Sequence, residues 1–332
     1  MSKIVELERE GAQAPAISEQ DAARAGEQIA CVVENIETVI KGKHTQVELT
    51  VLCMLAEGHV LIEDIPGVGK TSLVSALAKT VDCACKRIQF TPDVMPSDVT
   101  GFSIYNQKTG EFEFRPGAAM SNIVLADEIN RASAKTQSAM LEIMEERQVT
   151  ADGRTYPLEA PFMVLATQNP IDSLGTYKLP EAQIDRFMVK LSLGYPEFED
   201  ELAVVLSGRK AKSGISRVIG ANGVNALIGQ CRQVCVDRAV AAYIVRLVEA
   251  TRTHADIKLG VSPRGSIALY ALSRAYALSR GRNFVLPDDV KTLAPYVLAH
   301  RIILTQSAKT EKKDPSDLIR SIAAQVVVPV GK

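Results

Sequence analysis

The sequence predicts an α/β protein, a sandwich of helices on both faces of a parallel central sheet followed by a smaller all-helical domain. Three observations carry this. Short apolar, β-branched runs alternate with helical periods up to about residue 195; one of those runs enters a glycine-rich turn that opens a helix; beyond Pro196 strand signals give way to helical periods. The 332 residues suit one large domain and one smaller one. The expected division is a flexible tail over 1–17, a core over 18–195 and a helical domain over 196–332.

The tail is read from the charged run Glu6-Leu7-Glu8-Arg9-Glu10, which has no sustained apolar period. Ser18 then caps a helix in which Ile29, Val32, Val33, Ile36 and Ile40 recur at three- and four-residue spacing. Gly42 breaks it, and a second helix runs from Gln46 to Ala56. His59-Val60-Leu61-Ile62 reads as a buried strand leading through the turn into a helix from Thr71 to Thr80. Further strands are expected at 86–90, 123–126, 162–167 and 188–193, with a helix from Ser133 to Arg147. Two hairpins, near 102–115 and 148–158, interrupt the alternation around the turn residues Gln107-Lys108-Thr109-Gly110 and Asp152-Gly153. Hairpins added to such a core usually face a partner or a pore. Later, Pro263 and Pro287 start helices, Gly260 and Gly281 break them, and Ser307 to Ser316 reads as a charged loop.

Composition narrows the function. With 46% hydrophobic and 23% charged residues the chain is neither disordered nor fibrous. Thirty-eight basic against thirty-nine acidic residues leave a formal charge of -1, so no global field draws in nucleic acid or an anionic membrane, and no nucleic-acid partner is expected. The six cysteines form no CxxC pair; Cys231 and Cys235 read as two core thiols on one helix face. Met1 to Gln20 has no apolar signal core and no stretch reaches about 18 apolar residues, so no membrane insertion and a cytoplasmic location are expected.

The chemistry begins at Pro66-Gly67-Val68-Gly69-Lys70-Thr71. Backbone amides can ring a phosphate where no Cβ obstructs them, which Gly67 and Gly69 allow, and the following helix adds its positive N-terminal dipole. In this pattern the lysine reaches the β- and γ-phosphates and the Thr71 hydroxyl ligates Mg²⁺. Asp64 stands where the general pattern has its first glycine. Some 60 residues on, the apolar strand Ile123-Val124-Leu125-Ala126 ends in Asp127-Glu128. Asp127 is placed to help hold Mg²⁺ through water and Glu128 to act as general base. Thr167-Gln168-Asn169-Pro170 also ends a strand, where an amide side chain or merely a turn is expected.

These segments resemble the MoxR family of AAA+ ATPases, which belongs to the helix-2-insert clade related to magnesium-chelatase motor subunits. The resemblance runs from about residue 30 to 300 and rests on Ile62-Glu-Asp-Ile-Pro-Gly-Val-Gly-Lys-Thr71, Gln89-Phe-Thr-Pro-Asp-Val-Met-Pro-Ser-Asp-Val-Thr-Gly101, Leu125-Ala-Asp-Glu-Ile-Asn-Arg-Ala132, Ala166-Thr-Gln-Asn-Pro170, Leu179-Pro-Glu-Ala-Gln-Ile-Asp-Arg-Phe187 and Ser262-Pro-Arg264. It implies a P-loop NTPase core with a helical lid, ATP or ADP with Mg²⁺ as ligands, and a hexameric ring. Asp64 is usual for the family. Residues Asp64, Ile65, Pro66, Gly67, Val68, Gly69, Lys70, Thr71 and Ser72 would cradle the nucleotide, with Val39, Ile40 and Gly42 at the adenine. Asn169 matches sensor 1; Arg264 matches sensor 2, which touches the γ-phosphate when the lid closes. Arg186 matches an arginine finger reaching a neighbour's ATP. The family further implies a chaperone-like motor acting on client proteins with a von Willebrand factor A domain partner. A chelatase-like motor subunit and a nucleic-acid-stimulated motor are the alternatives.

Overall fold

The computed structural model describes residues 16–169, 177, 179–207 and 214–328. Helices α1 (Glu19–Glu37) and α2 (His44–Leu55) precede β1 (Val60–Glu63), and the glycine turn opens α3 (Lys70–Thr80). Then come β2 (Cys85–Gln89), the short α4 (Pro96–Thr100) and the hairpin β3 (Gly101–Asn106) with β4 (Glu111–Pro116). Strand β5 (Ile123–Asp127), a 3₁₀ turn (Ile129–Arg131) and α5 (Ala134–Glu146) lead to the second hairpin, β6 (Gln148–Ala151) with β7 (Arg154–Pro157). β8 (Met163–Gln168), α6 (Glu181–Ile184) and β9 (Val189–Leu191) complete this part. The remainder is α7 (Phe198–Ser207), α8 (Ala221–Gln233), α9 (Arg238–Thr253), β10 (Ile257–Leu259), α10 (Pro263–Ser279), α11 (Pro287–Leu298), β11 (Ile303–Leu304), α12 (Gln306–Thr310) and α13 (Pro315–Gln325).

The sheet is five-stranded and parallel in the order β2-β5-β8-β1-β9. Its central strands are covered on both faces, which is why β5 is buried at all five positions and reads as a continuous apolar run. The register sets Glu63 against Gln168 and Gln89 against Asp127, so the carboxyl ends of β1, β8, β5 and β2 share one edge. That is where an open parallel sheet binds ligands.

Two apolar clusters hold the layers. One contains Leu61, Val124, Ala126, Val164 and Ala166 with Met140, Leu141 and Met144 of α5. The other joins α1, α2, α3 and the opposite sheet face to the helices after α7. The C-terminal helices therefore share a core with α1 and α2. At Gly26 of α1 a Cβ would stand 2.9 Å from the Gly281 amide nitrogen, too near for any larger residue without a shift. Ser18 caps α1, Ser133 caps α5 and Ser262 caps α10, each accepting a backbone N–H two or three residues on.

The structure departs from the sequence expectations in four places. The C-terminal part is not all-helical: β10 and β11 form a short antiparallel ladder, too brief to show an alternating pattern. The charged segment from Ser307 is partly helical, because the Thr305 hydroxyl accepts from the Ala308 amide and Ala308 is buried. Cys231 is buried in α8, but Cys235 lies beyond its end and is exposed, so the two do not share a helix face. Of the tail, residues 1–15 lie outside the described residues, and Ile17 is buried with its amide donating to the Gln233 carbonyl. No helix among the described residues is long and apolar enough to cross a membrane.

His59 pins the start of β1. Its Nδ1 accepts from the Val164 amide at 3.0 Å and its Nε2 donates to the Met144 carbonyl at 3.0 Å. This two-sided pairing needs the neutral ring, and burial pushes the pKa down from 6.5 to about 4. Burial pushes His300 well below its ordinary value too. With the folded-state pKa depressed, the unfolded chain binds the extra protons, so stability falls as pH drops from about 6.5 toward about 4. His59 alone is worth about 3 kcal/mol across that window. Thermal melts from pH 7.5 to 5 should show a falling Tm, and His59→Asn, which can accept from Val164 without titrating, should flatten the fall.

Candidate nucleotide site

The turn after β1 has the backbone the sequence asks for. Gly67 and Gly69 have φ of 89° and 97°, conformations that disfavour any residue with a side chain, and a Cβ added at either meets nothing within 4 Å. The glycines are needed for their dihedral angles and for an open cradle, not to relieve a clash inside the chain. Gly69 is the left-handed cap from which α3 begins, so the first N–H groups of that helix face the loop. Lys70 donates from Nζ to the carbonyls of Asp64 at 2.8 Å and Ile65 at 3.2 Å, an ammonium held over its own loop. An open ring of amides with a cation at its mouth fits a polyphosphate.

Asp64 has another task. Its Oδ2 accepts from the amides of Leu193 at 2.6 Å and Gly194 at 2.8 Å and from Ser192 Oγ at 3.3 Å, while Oδ1 accepts from the Ile65 amide at 2.9 Å. The side chain turns away from the cradle and ties the loop's base to the segment after β9. Asp64→Ala would strand three backbone donors, at a cost of about 3 kcal/mol or more. We expect a lowered Tm together with a raised KM for ATP; a raised KM with unchanged Tm would contradict this structural role.

At the end of β5, Asp127 accepts from Thr167 Oγ1 at 2.6 Å through Oδ1 and from Arg87 at 2.6 and 3.1 Å through Oδ2. Glu128 adopts the left-handed conformation, φ 56° and ψ 47°, which costs a non-glycine residue about 1 kcal/mol or more and is characteristic of functional positions. Thr167 stabilises it, because its hydroxyl accepts the Glu128 amide at 2.9 Å while donating to Asp127. Glu128 Oε2 receives Gln89 Nε2 at 3.0 Å and pairs with Arg131 at 3.0 Å. Both carboxylates are thus fixed. Asn169, one residue beyond the carboxyl end of the central strand β8, is buried; Pro170 lies outside the described residues.

On the other side of α3, Val39 lines a cleft of about 130 Å³ with Thr71, Ser72, Ser75, Ala76, Lys79 and Ile215. Ile40 is buried in the core, and Gly42, with φ 67°, leaves room for the Asp200 carboxylate, which a Cβ would meet at 1.9 Å. Of the three adenine candidates, Val39 alone lines the cleft.

The two remaining arginines are elsewhere. Arg186 precedes β9, and Val189 pairs with Val60 at the start of β1. Arg186 therefore sits at the amino end of the sheet, opposite the phosphate loop. Arg264 joins it there: Arg186 Nε contacts Glu145 Oε2 at 2.9 Å, and Arg264 pairs with Oε1 of the same carboxylate. Both line one surface cavity of about 350 Å³ with Glu57, His59, Arg147 and Arg301. Arg264, which the resemblance sets at sensor 2, stands here beside Arg186 on Glu145. Here the pairing with Glu145 leaves Arg186 and Arg264 with an intrachain partner each.

Sequence reasoning missed Thr167, Arg87, Gln89, Glu145 and Ile215. Thr167 had a signal: it is one position past the register pair Ala126–Ala166, hence beside Asp127. The others depend on contacts between distant segments. The hairpins behave differently from one another. Phe114 stacks on Tyr156 with centroids 4.0 Å apart, locking the two hairpins together, whereas Phe112 is 70% exposed.

Strand order, glycine loop and paired carboxylates together define a P-loop nucleotide-binding protein of the AAA+ type. Residues 59–189 match the ATPase family associated with various cellular activities, and residues 249–322 match the AAA lid domain. The chain is 52% identical over 300 residues to the uncharacterized protein YeaC of Bacillus subtilis, covering 90% of this chain and 94% of that one. It is 41% identical over 303 residues to chaperone MoxR1 of Mycobacterium tuberculosis, covering 89% and 80%. A solved structure of a candidate ATPase from Cytophaga hutchinsonii superposes with a TM-score of 0.87 at 40% identity, covering 94% of this chain and 98% of that one. The chain belongs to the MoxR family of AAA+ ATPases.

Proposed function

We propose that this chain hydrolyses ATP in a magnesium-dependent site completed by a second copy, and that the cycle drives remodelling of client proteins. One observation carries the reading. The phosphate loop, Asp127 and Glu128 lie at the carboxyl edge of the sheet, while Arg186 and Arg264 stand together at the amino edge, beyond reach of the loop in the same chain. Arginines that complete the charge of such a site must then come from a neighbour, as in a head-to-tail ring, for which six members is the family's expectation.

In this reading the Gly67 and Gly69 turn and Lys70 bind the β- and γ-phosphates, and Thr71 and Asp127 hold Mg²⁺, which supplies positive charge at the phosphate oxygens. Val39 and the start of α3 hold the adenine. Glu128, fixed by Gln89 and Arg131, takes a proton from the attacking water, which Asn169 orients. The neighbour's Arg186 and Arg264 leave Glu145 and neutralise charge as it builds on the γ-phosphate. The exposed Phe112 hairpin faces the client, a von Willebrand factor A domain protein is the expected partner, and the setting is the cytoplasm.

Steady-state phosphate release tests the first part: activity that requires both Mg²⁺ and Lys70 supports it, and none in the assembled wild type contradicts it. Strong stimulation by single-stranded DNA would instead favour a nucleic-acid motor.

A further inference from the structure

All three guanidinium nitrogens of Arg301 are hydrogen-bonded. Its side chain is 2% exposed, yet it comes from the turn after α11 and reaches into the segment that carries Arg186. Nε donates to Asp185 Oδ1 at 2.8 Å, and Nη2 donates to the carbonyls of Asp185 at 3.1 Å and Phe187 at 2.7 Å. Nη1 donates to Met188 at 3.1 Å and to Val297. One buried cation thus clasps the backbone on both sides of Arg186.

The other oxygen of Asp185 is also used. Oδ2 accepts from Ser262 Oγ at 2.8 Å, and that same hydroxyl accepts the backbone N–H of Arg264 at 3.2 Å. Ser262 caps α10, the helix on which Arg264 stands. Asp185 therefore fixes the origin of both arginines, one by sequence neighbourhood and one through the helix cap. Glu145 gathers their tips.

We propose that Arg301 and Asp185 are positioning residues that make Arg186 and Arg264 a single rigid pair, delivered as a unit to the nucleotide of the adjoining copy. This rests on the shared-site reading above. A buried, fully paired ion pair that reached no further would only hold the helical part to the sheet; this one branches into the backbone of both arginines. Neither residue touches nucleotide, so their loss acts on the neighbour's turnover and not on the chain's own phosphate loop.

The test uses the assembled full-length chain with MgATP and two variants, Arg301→Lys, which keeps charge and loses the fork, and Asp185→Asn, which keeps volume and loses charge. Misplacing the pair by about 1 Å should lower kcat between about tenfold and 100-fold. Fluorescent-nucleotide affinity at the variant's own loop should stay within about twofold, and mixing with Lys70→Ala subunits, whose arginines are sound, should restore turnover. Should Arg301→Lys fail to fold, Asp185→Asn decides. Wild-type kcat in the assembled variant overturns the proposal, as does absent rescue where an Arg186→Ala and Lys70→Ala mixture recovers activity. If that control mixture also stays inactive, the shared site itself is wrong and the proposal falls with it.

Discussion

Glu128→Gln is expected to bind MgATP with near wild-type affinity and to turn it over at least about 100-fold more slowly. The substitution preserves volume and can still accept from Gln89, so the site keeps its shape. What it removes is the basic carboxylate and its pairing with Arg131. Asp127, Thr167 and the cradle are untouched. Nucleotide binding by fluorescence and phosphate release on one preparation decide the matter: equal kcat in variant and wild type would remove Glu128 from the role of base, and lost binding would assign it to the cradle instead.

The second large effect is expected at Arg186. A guanidinium supplied to a transferring phosphoryl group is worth about 10³ to 10⁵ in kcat, so Arg186→Ala should lose about 10³-fold while each subunit still binds nucleotide. In the isolated chain the same substitution costs little stability, because it breaks a partly exposed pair, worth at most about 1 kcal/mol, and Glu145 retains Arg264. Near-normal Tm with collapsed turnover is the signature. A Tm loss in proportion to the activity loss would mean that the arginine serves only its own fold.

The contrast between these two sites explains what the sequence can and cannot disclose. The phosphate loop and the Asp127-Glu128 pair are legible because each is contiguous: a strand, a turn and a helix start impose a local pattern, and dihedral demands at Gly67 and Gly69 leave a direct trace in residue choice. The parallel sheet is legible from the same alternation. Asp64 is different. As a departure from the glycine pattern it is visible, but its partners Leu193 and Gly194 lie about 130 residues away, and only the β1–β9 pairing brings them near. The helices after Pro196 are likewise visible as helices, yet nothing in their periodicity says how they pack against the sheet. That packing is what sets Arg264 beside Arg186 on Glu145. Thr167, Arg87 and Arg301 act through single long-range contacts that leave no periodic mark. The short β10–β11 ladder falls below the length at which alternation can be read at all.

The central claim is that no single chain holds a complete site, and one mixing experiment addresses it directly. Arg186→Ala subunits have a sound phosphate loop and no finger; Lys70→Ala subunits have the reverse. Each alone should be nearly inactive. Combined in equal amounts and allowed to exchange, random assembly places a sound loop against a sound finger at about one quarter of the interfaces. Phosphate release should therefore rise to about a quarter of the wild-type rate. Turnover that stays at the level of the separate variants at every ratio, with co-assembly verified, would contradict the shared site and return both arginines to the chain that carries them.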